Sequence, residues 1–275
     1  MNTPTITSEW LNAHLNDPHL VILDASPKSN KSGLSSDYIG KYIPNSYLFD
    51  LAGQFSDPSS PLPNTLPQPE AFAQAARELG ICQESKIVVY DNLGIYASPR
   101  VWWMFKTMGH AHVSVLDGGL PAWIDAGYET ATQLTSPKST GDFQARFNPS
   151  AVKYTDDILT NLDDQSTCVI DARSEGRFCG TAPEPREGLS SGHIPHSINI
   201  PFEAVLQDGH FKSPTELKKV FEEVGNKPLI FSCGSGLTAC IVLLAHELID
   251  PRPKSVYDGS WTEWALSGKL PIAKK

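Results

Sequence analysis

Six short, mostly apolar runs punctuate this 275-residue chain. They cover residues 20–24, 87–90, 113–116, 168–171, 228–232 and 254–257. None alternates strictly between apolar and polar, so each reads as a strand buried on both faces. Between them, Glu70 to Leu79 and Thr215 to Val224 carry apolar residues at helical spacing behind proline and polar starts. Buried strands alternating with helices predict an α/β fold, with mainly parallel sheets flanked by helices.

The pattern occurs twice. Val21-Ile22-Leu23-Asp24-Ala25-Ser26 resembles Cys168-Val169-Ile170-Asp171-Ala172-Arg173, with the aspartates at 24 and 171 lying 147 positions apart. Tyr42-Ile43-Pro44-Asn45-Ser46 resembles His193-Ile194-Pro195-His196-Ser197 at an offset of 151. Ile87 to Asp91 resembles Leu229 to Cys233 at 142, and Leu116 to Trp123 resembles Tyr257 to Trp264 at 141. Four matches in the same order at nearly constant offset predict a tandem duplication. The expected division is an N-terminal domain over 1–135, a linker over 136–150 and a C-terminal domain over 151–275. The linker expectation rests on the Thr, Ser, Pro and Gly content around residues 130–150.

The chemistry concentrates after the run 228–232. Cys233-Gly234-Ser235-Gly236-Leu237-Thr238-Ala239 joins that strand to a strongly apolar segment, Ile241 to Ala245. A strand, a tight loop and a helix start place the Cys233 thiol against backbone amides. That setting favours an anionic sulfur and any anion attached to it or attacking it. The duplication acts as an internal control. Asp91-Asn92-Leu93-Gly94-Ile95-Tyr96-Ala97 keeps the glycine at the fourth position and the alanine at the seventh, but not the cysteine. Chemistry is therefore expected only in the second half.

Composition narrows the partners. A formal net charge of −9 disfavours nucleic acid and anionic membranes. Residues 1–20 carry no basic start followed by an apolar core, so no secretory signal is expected. No apolar run approaches the length of about 20 residues that a membrane helix needs. The five cysteines, Cys82, Cys168, Cys179, Cys233 and Cys240, contain no CxxC pair. Neither zinc nor a disulfide framework is suggested, and a reducing cytoplasm fits.

These motifs resemble the rhodanese family of sulfurtransferases, and within it the two-domain mercaptopyruvate branch. The resemblance covers about residues 5–270. Its marks include Ser98-Pro99-Arg100-Val101-Trp102-Trp103, Leu116-Asp117-Gly118-Gly119, Asp171-Ala172-Arg173, Glu184-Pro185-Arg186, Ser191-Gly192-His193-Ile194-Pro195 and Tyr257-Asp258-Gly259-Ser260-Trp261. The resemblance implies two tandem rhodanese-like domains, the first without the cysteine. It implies transfer of sulfur from 3-mercaptopyruvate through a Cys233 persulfide to cyanide, a thiol or thioredoxin, with release of pyruvate. No metal or organic cofactor is implied. Ser235 is expected to assist catalysis, and Gly234, Gly236, Leu237 and Thr238 to shape the substrate site, with Thr238 alternatively capping the helix. Arg177 and Arg186 match the family's two substrate arginines, and arginine can hold a carboxylate bidentately. Arg173 is expected to be structural, paired with an acidic residue. His193 is expected to make a structural hydrogen bond. A relay histidine proposed for the family stands at the start of a first-domain HIPGA segment, where this chain has Tyr42.

The nearest rival is thiosulfate:cyanide sulfurtransferase on the same fold. Neutral Gly234 and Ser235 disfavour it, since a dianionic donor favours cations after the cysteine. A cysteine phosphatase would need a longer loop closed by arginine. A non-catalytic binding module is disfavoured by the intact Cys233 loop.

Overall fold

The computed structural model describes residues 3–275. The chain forms two compact units. Unit 1 takes residues up to Ser59, Leu66–Asn148 and Asp208–Phe211. Unit 2 takes Ser60–Thr65, Pro149–Gln207 and Lys212–Lys275.

Each unit is built on a five-stranded sheet in which all neighbouring strands run parallel. In unit 1 the order from edge to edge is Thr5–Ile6, Val113–Leu116, Lys86–Tyr90, Leu20–Asp24 and Ser46–Leu48. In unit 2 it is Val152–Lys153, Lys254–Tyr257, Leu229–Ser232, Cys168–Asp171 and Ile198–Asn199. All six predicted strands are present, and both sheets share one order, as the duplication requires. The predicted helix over 70–79 is Pro69–Glu78. The one over 215–224 is an α-helix at Pro214–Val220 followed by a 3-10 turn at Glu222–Val224.

The burial pattern explains why the apolar runs are continuous. Ile87 to Tyr90 and Leu229 to Phe231 are buried as central strands covered on both faces. The helix that follows each central strand is almost wholly inside. Every residue of Ser98–Thr107 except Lys106 is buried, as is every residue of Ala239–Glu247 except Glu247. Neither helix offers a broad solvent face, and Ser98–Thr107 encloses even the charged Arg100. The equivalence reaches side chains. Trp123 donates through Nε1 to the Glu129 carbonyl at 2.8 Å, and Trp264 to the Pro271 carbonyl at 2.9 Å.

The stretch expected as a linker over 136–150 packs against unit 1 as far as Asn148. The Gly141 amide donates to the Arg77 carbonyl, and the Asn148 amide to the Thr107 carbonyl, both at 2.8 Å. Phe143 is fully buried beside Phe72, Phe105 and His110. One aromatic residue anchors a segment whose composition reads as loop. Among the described residues no helix is long and apolar enough to cross a membrane.

One buried histidine ties unit 2 to pH. His246 lies edge-on to Phe221 with 4.8 Å between ring centroids, and its Nδ1 has no hydrogen-bond partner among the described residues. Burial, reinforced by the nearby Lys254 charge, pushes its pKa down to about 4. Below pH 6.5 the unfolded chain takes up a proton that the folded chain refuses, so stability is lost as pH falls from 6.5 towards 4. Relative to the parent, His246→Phe is expected to gain about 2 kcal/mol between pH 7.5 and pH 5. Urea unfolding at the two pH values measures this. An unchanged difference would mean that His246 is not held neutral.

Candidate active site

Chain order places the cysteine at a topological switch. After Cys168–Asp171 the chain runs outward to the edge strand Ile198–Asn199. It then returns to the other side as Leu229–Ser232. Crevices for ligands open at the carboxyl ends of strands that part in this way. Asp171-Ala172-Arg173 ends one strand and Cys233 follows the other, with Ser232 paired to Asp171.

The loop that carries Cys233 is clamped from behind. The Cys233 amide donates to Ser260 Oγ at 3.3 Å, and Ser260 Oγ donates to the Tyr257 carbonyl at 2.8 Å. The Trp261 amide donates to the Cys233 carbonyl at 2.9 Å, and the Thr262 amide to the Gly234 carbonyl at 3.0 Å. Cys233 is 1% exposed. Gly236 adopts φ +73°, a left-handed conformation that favours glycine. Thr238 lies at the N-cap of Ala239–Glu247, but its side chain makes no capping hydrogen bond. Leu237 is half-buried in the same turn.

The same loop in unit 1 closes around a buried carboxyl group. Oδ2 of Asp91 accepts hydrogen bonds from the amides of Tyr96, Ala97 and Ser98 at 2.9–3.0 Å, and from Ser98 Oγ at 2.8 Å. The Leu93 amide donates to Oδ1 at 3.1 Å. Burial pushes the Asp91 pKa up, against these donors, which hold it down. At an offset of 142, the amides of Thr238 and Ala239 correspond to those of Tyr96 and Ala97.

The two predicted arginines converge on the loop. A Cβ placed on Gly234 would lie 3.2 Å from Arg177 Nη2 and 3.3 Å from Arg186 Nη1. Any side chain at 234 would press on both guanidinium ends, and glycine leaves them room beside Cys233. Arg177 comes from the short helix Glu175–Cys179, which Gly180 ends at φ +82°. Arg186 comes from the irregular segment that follows.

A buried charge chain holds one of the two. Arg173, with no side-chain exposure, pairs with Asp171 at 2.6 Å and with Glu184 at 2.7 Å. Its guanidinium lies 4.2 Å from the Trp261 ring centroid. Burial alone would lower the Arg173 pKa, but the two carboxylates hold it above its ordinary value. Glu184 then spans to Arg177 at 2.6 Å. Arg173 is thus structural, as expected, and Glu184 positions Arg177. Arg186 makes no ion pair among the described residues. Glu184 was read in the sequence only as part of a Glu-Pro-Arg mark. Its partners Arg173 and Arg177 stand 11 and 7 residues earlier in the chain, a spacing that no helix or strand period singles out.

His193 is structural too. Its Nδ1 lies 2.9 Å from the Phe178 carbonyl, and its ring stacks on Phe178 with centroids 3.8 Å apart. Its backbone bridges Ala273 as that of Tyr42 bridges Ala131, so the two residues are true counterparts. Tyr42 belongs to unit 1. The first-half residue that meets Ser235 is Asn64, whose Nδ2 donates to Ser235 Oγ at 3.2 Å within unit 2. Sequence reading missed Asn64. It lies 171 positions from its partner in a stretch with prolines at 58, 61, 63, 67 and 69, and no periodic signal marks it.

Comparison with known proteins agrees with this geometry. The rhodanese-like domain family matches residues 7–126 and 154–267. The 3-mercaptopyruvate sulfurtransferase of Escherichia coli K12 is 40% identical over 97% of this chain and 96% of its own. The mitochondrial thiosulfate/3-mercaptopyruvate sulfurtransferase 1 of Arabidopsis thaliana is 40% identical over 98% of this chain and 78% of its own. The crystal structure of SseA from Escherichia coli, a 3-mercaptopyruvate sulfotransferase, superimposes with a TM-score of 0.83 at 37% identity, over 94% of this chain and 99% of that one. With two sheets of one strand order, a cysteine loop in one and its carboxylate counterpart in the other, the chain belongs to the rhodanese family as a tandem two-domain member.

Proposed function

We propose that the chain transfers sulfur from 3-mercaptopyruvate through a persulfide on Cys233. The observation that carries this reading is the pair Arg177 and Arg186, both against Gly234 beside a cysteine whose loop contains no cation. A small keto acid presents a carboxylate and a carbonyl, which two guanidinium groups can hold together.

The Cys233 sulfur attacks the sulfur of the donor, since a thiolate is a soft nucleophile for sulfur. The donor's carbon–sulfur bond breaks with its electron pair passing to carbon. Delocalised onto the keto oxygen, that pair makes the enolate of pyruvate, which takes a proton from water at carbon. Ser235 donates a hydrogen bond to the keto oxygen as negative charge develops there. The sulfur left on Cys233 is held by loop amides, including those of Thr238 and Ala239. The amides around Asp91 support this, since they converge on a side-chain carboxyl oxygen at the matching position. Gly234, Gly236 and Leu237 give the loop its curvature and inner wall. A second thiophile then removes the sulfur: cyanide in an assay, and a thiol or thioredoxin in the cell. Five unpaired cysteines favour a reducing compartment, and we assign the protein to the cytoplasm.

A second reading, thiosulfate as donor, is favoured by the same two arginines, because paired cations also suit a dianion. The test is kcat/KM with each donor under one cyanide concentration. A preference of tenfold or more for mercaptopyruvate, about 1.4 kcal/mol of differential transition-state binding, supports the first reading. A preference for thiosulfate keeps the Cys233 chemistry and overturns the donor assignment.

A further inference from the structure

Ser235 is 8% exposed and two positions beyond Cys233. Its hydroxyl oxygen receives one hydrogen bond, from Asn64 Nδ2 at 3.2 Å. No carbonyl or carboxylate among the described residues accepts a hydrogen bond from Ser235 Oγ. A hydroxyl has one proton to give and two lone pairs to offer. An amide N–H occupies a lone pair and leaves the proton uncommitted. Asn64 therefore sets not only where the hydroxyl stands but which way it donates.

The segment that carries Asn64 is built to hold it still. Asn64 has φ +60°, a left-handed conformation that asparagine tolerates better than most residues. Pro61 and Pro63 fix the backbone just before it. Thr65 Oγ1 lies 2.8 Å from Ser60 Oγ and 3.1 Å from the Leu62 carbonyl, and the Leu62 amide donates to Ser60 Oγ at 3.1 Å. This self-bonded turn presents a side-chain amide to the active loop.

An amide does not titrate in the working range of an enzyme. It orients, but it neither accepts nor passes on a proton. We propose that Asn64 is the positioning residue that fixes Ser235 as a hydrogen-bond donor to the keto oxygen of the donor substrate. No proton relay runs through this pair. The proposal rests on the mercaptopyruvate reading above. It follows that the proton on carbon comes from water.

The test is a double-mutant cycle in the full chain with Asn64→Asp, Asn64→Ala, Ser235→Ala and Ser235→Ala/Asn64→Asp, assayed with mercaptopyruvate from pH 5 to 9. A carboxylate at position 64 can only accept, so it turns the Ser235 proton away from substrate. Asn64→Asp is expected to lower kcat about 100-fold at pH 8, with KM changed less than threefold. Asn64→Ala, which releases the hydroxyl without reversing it, is expected to lose about tenfold. In the Ser235→Ala background Asn64→Asp is expected to have no further effect. The Asp variant regains activity as pH falls and its carboxyl takes a proton, whereas the Ala variant does not. Equal losses in the Asp and Ala variants, or losses that add to that of Ser235→Ala, would overturn the role given to Asn64 and leave it structural. Melting temperatures of all four variants identify a loss caused by unfolding, and the Ala comparison then decides. A parent protein inactive with mercaptopyruvate but active with thiosulfate would instead overturn the donor reading, before any variant is compared.

Discussion

Replacing Cys233 with serine is expected to reduce sulfur transfer from either donor by about 10⁴-fold or more. Oxygen is a hard, weakly acidic nucleophile that forms no persulfide, so the reaction loses its intermediate rather than one stabilising contact. The fold should survive. The side chain is small, and the clamps on residue 233 come from its own backbone through Ser260 and Trp261. Intact mass before and after incubation with mercaptopyruvate is the direct measurement. The parent gains one sulfur atom and the variant gains none. If the variant still takes up sulfur, another cysteine carries it. Cys240 would then be first to test, although its thiol faces the Gly236 carbonyl at 3.3 Å in the buried first turn of the helix.

The second large effect concerns the arginines, which differ in how much of their charge is available. Arg177 gives Nε and Nη2 to Glu184, so much of its charge is offset inside the protein. Arg186 has no such partner among the described residues. A substrate carboxylate therefore finds its main uncompensated charge at Arg186. Arg186→Gly is expected to lower kcat/KM for mercaptopyruvate about 100-fold, mostly through KM. That is the scale of one lost charge-assisted pair of hydrogen bonds, about 1.5–3 kcal/mol. Thiosulfate, which has no carboxylate or carbonyl, should lose less than tenfold. Steady-state kinetics with both donors measure the ratio. Equal losses would mean that Arg186 supplies only a positive potential and no carboxylate clamp.

Both expectations depend on how far the chain could be read before its structure. The six inner strands were legible because a parallel strand covered on both faces is mostly apolar along its length, and such runs stand out. The edge strands Thr5–Ile6, Ser46–Leu48, Val152–Lys153 and Ile198–Asn199 were not, since two or three residues carry no period. Phe143 shows the limit in another way. One buried ring decides where residues 136–148 lie, and composition averages it away. At the site, Cys233 and its loop followed from strand, glycine and helix signals in sequence order. Arg177 and Arg186 followed from resemblance. Glu184 and Asn64 were invisible for a shared reason: each matters through a partner, not through a chemistry of its own. A carboxylate between two arginines and an amide behind a serine look like ordinary loop polarity until the fold brings the pairs together.

The reciprocal membership of the two units has an evolutionary consequence. Residues 60–65 are encoded in the first copy of the duplicated sequence but belong to the body that holds Cys233. A C-terminal half cut free at residue 149 would retain its sheet, its cysteine and both arginines, yet lose the amide that orients Ser235. The two copies have thereby become inseparable. The first copy carries Asp91 where the second carries Cys233, and through Asn64 it contributes to the chemistry of the second. Reversion to a single-copy enzyme would require inventing a new neighbour for that serine.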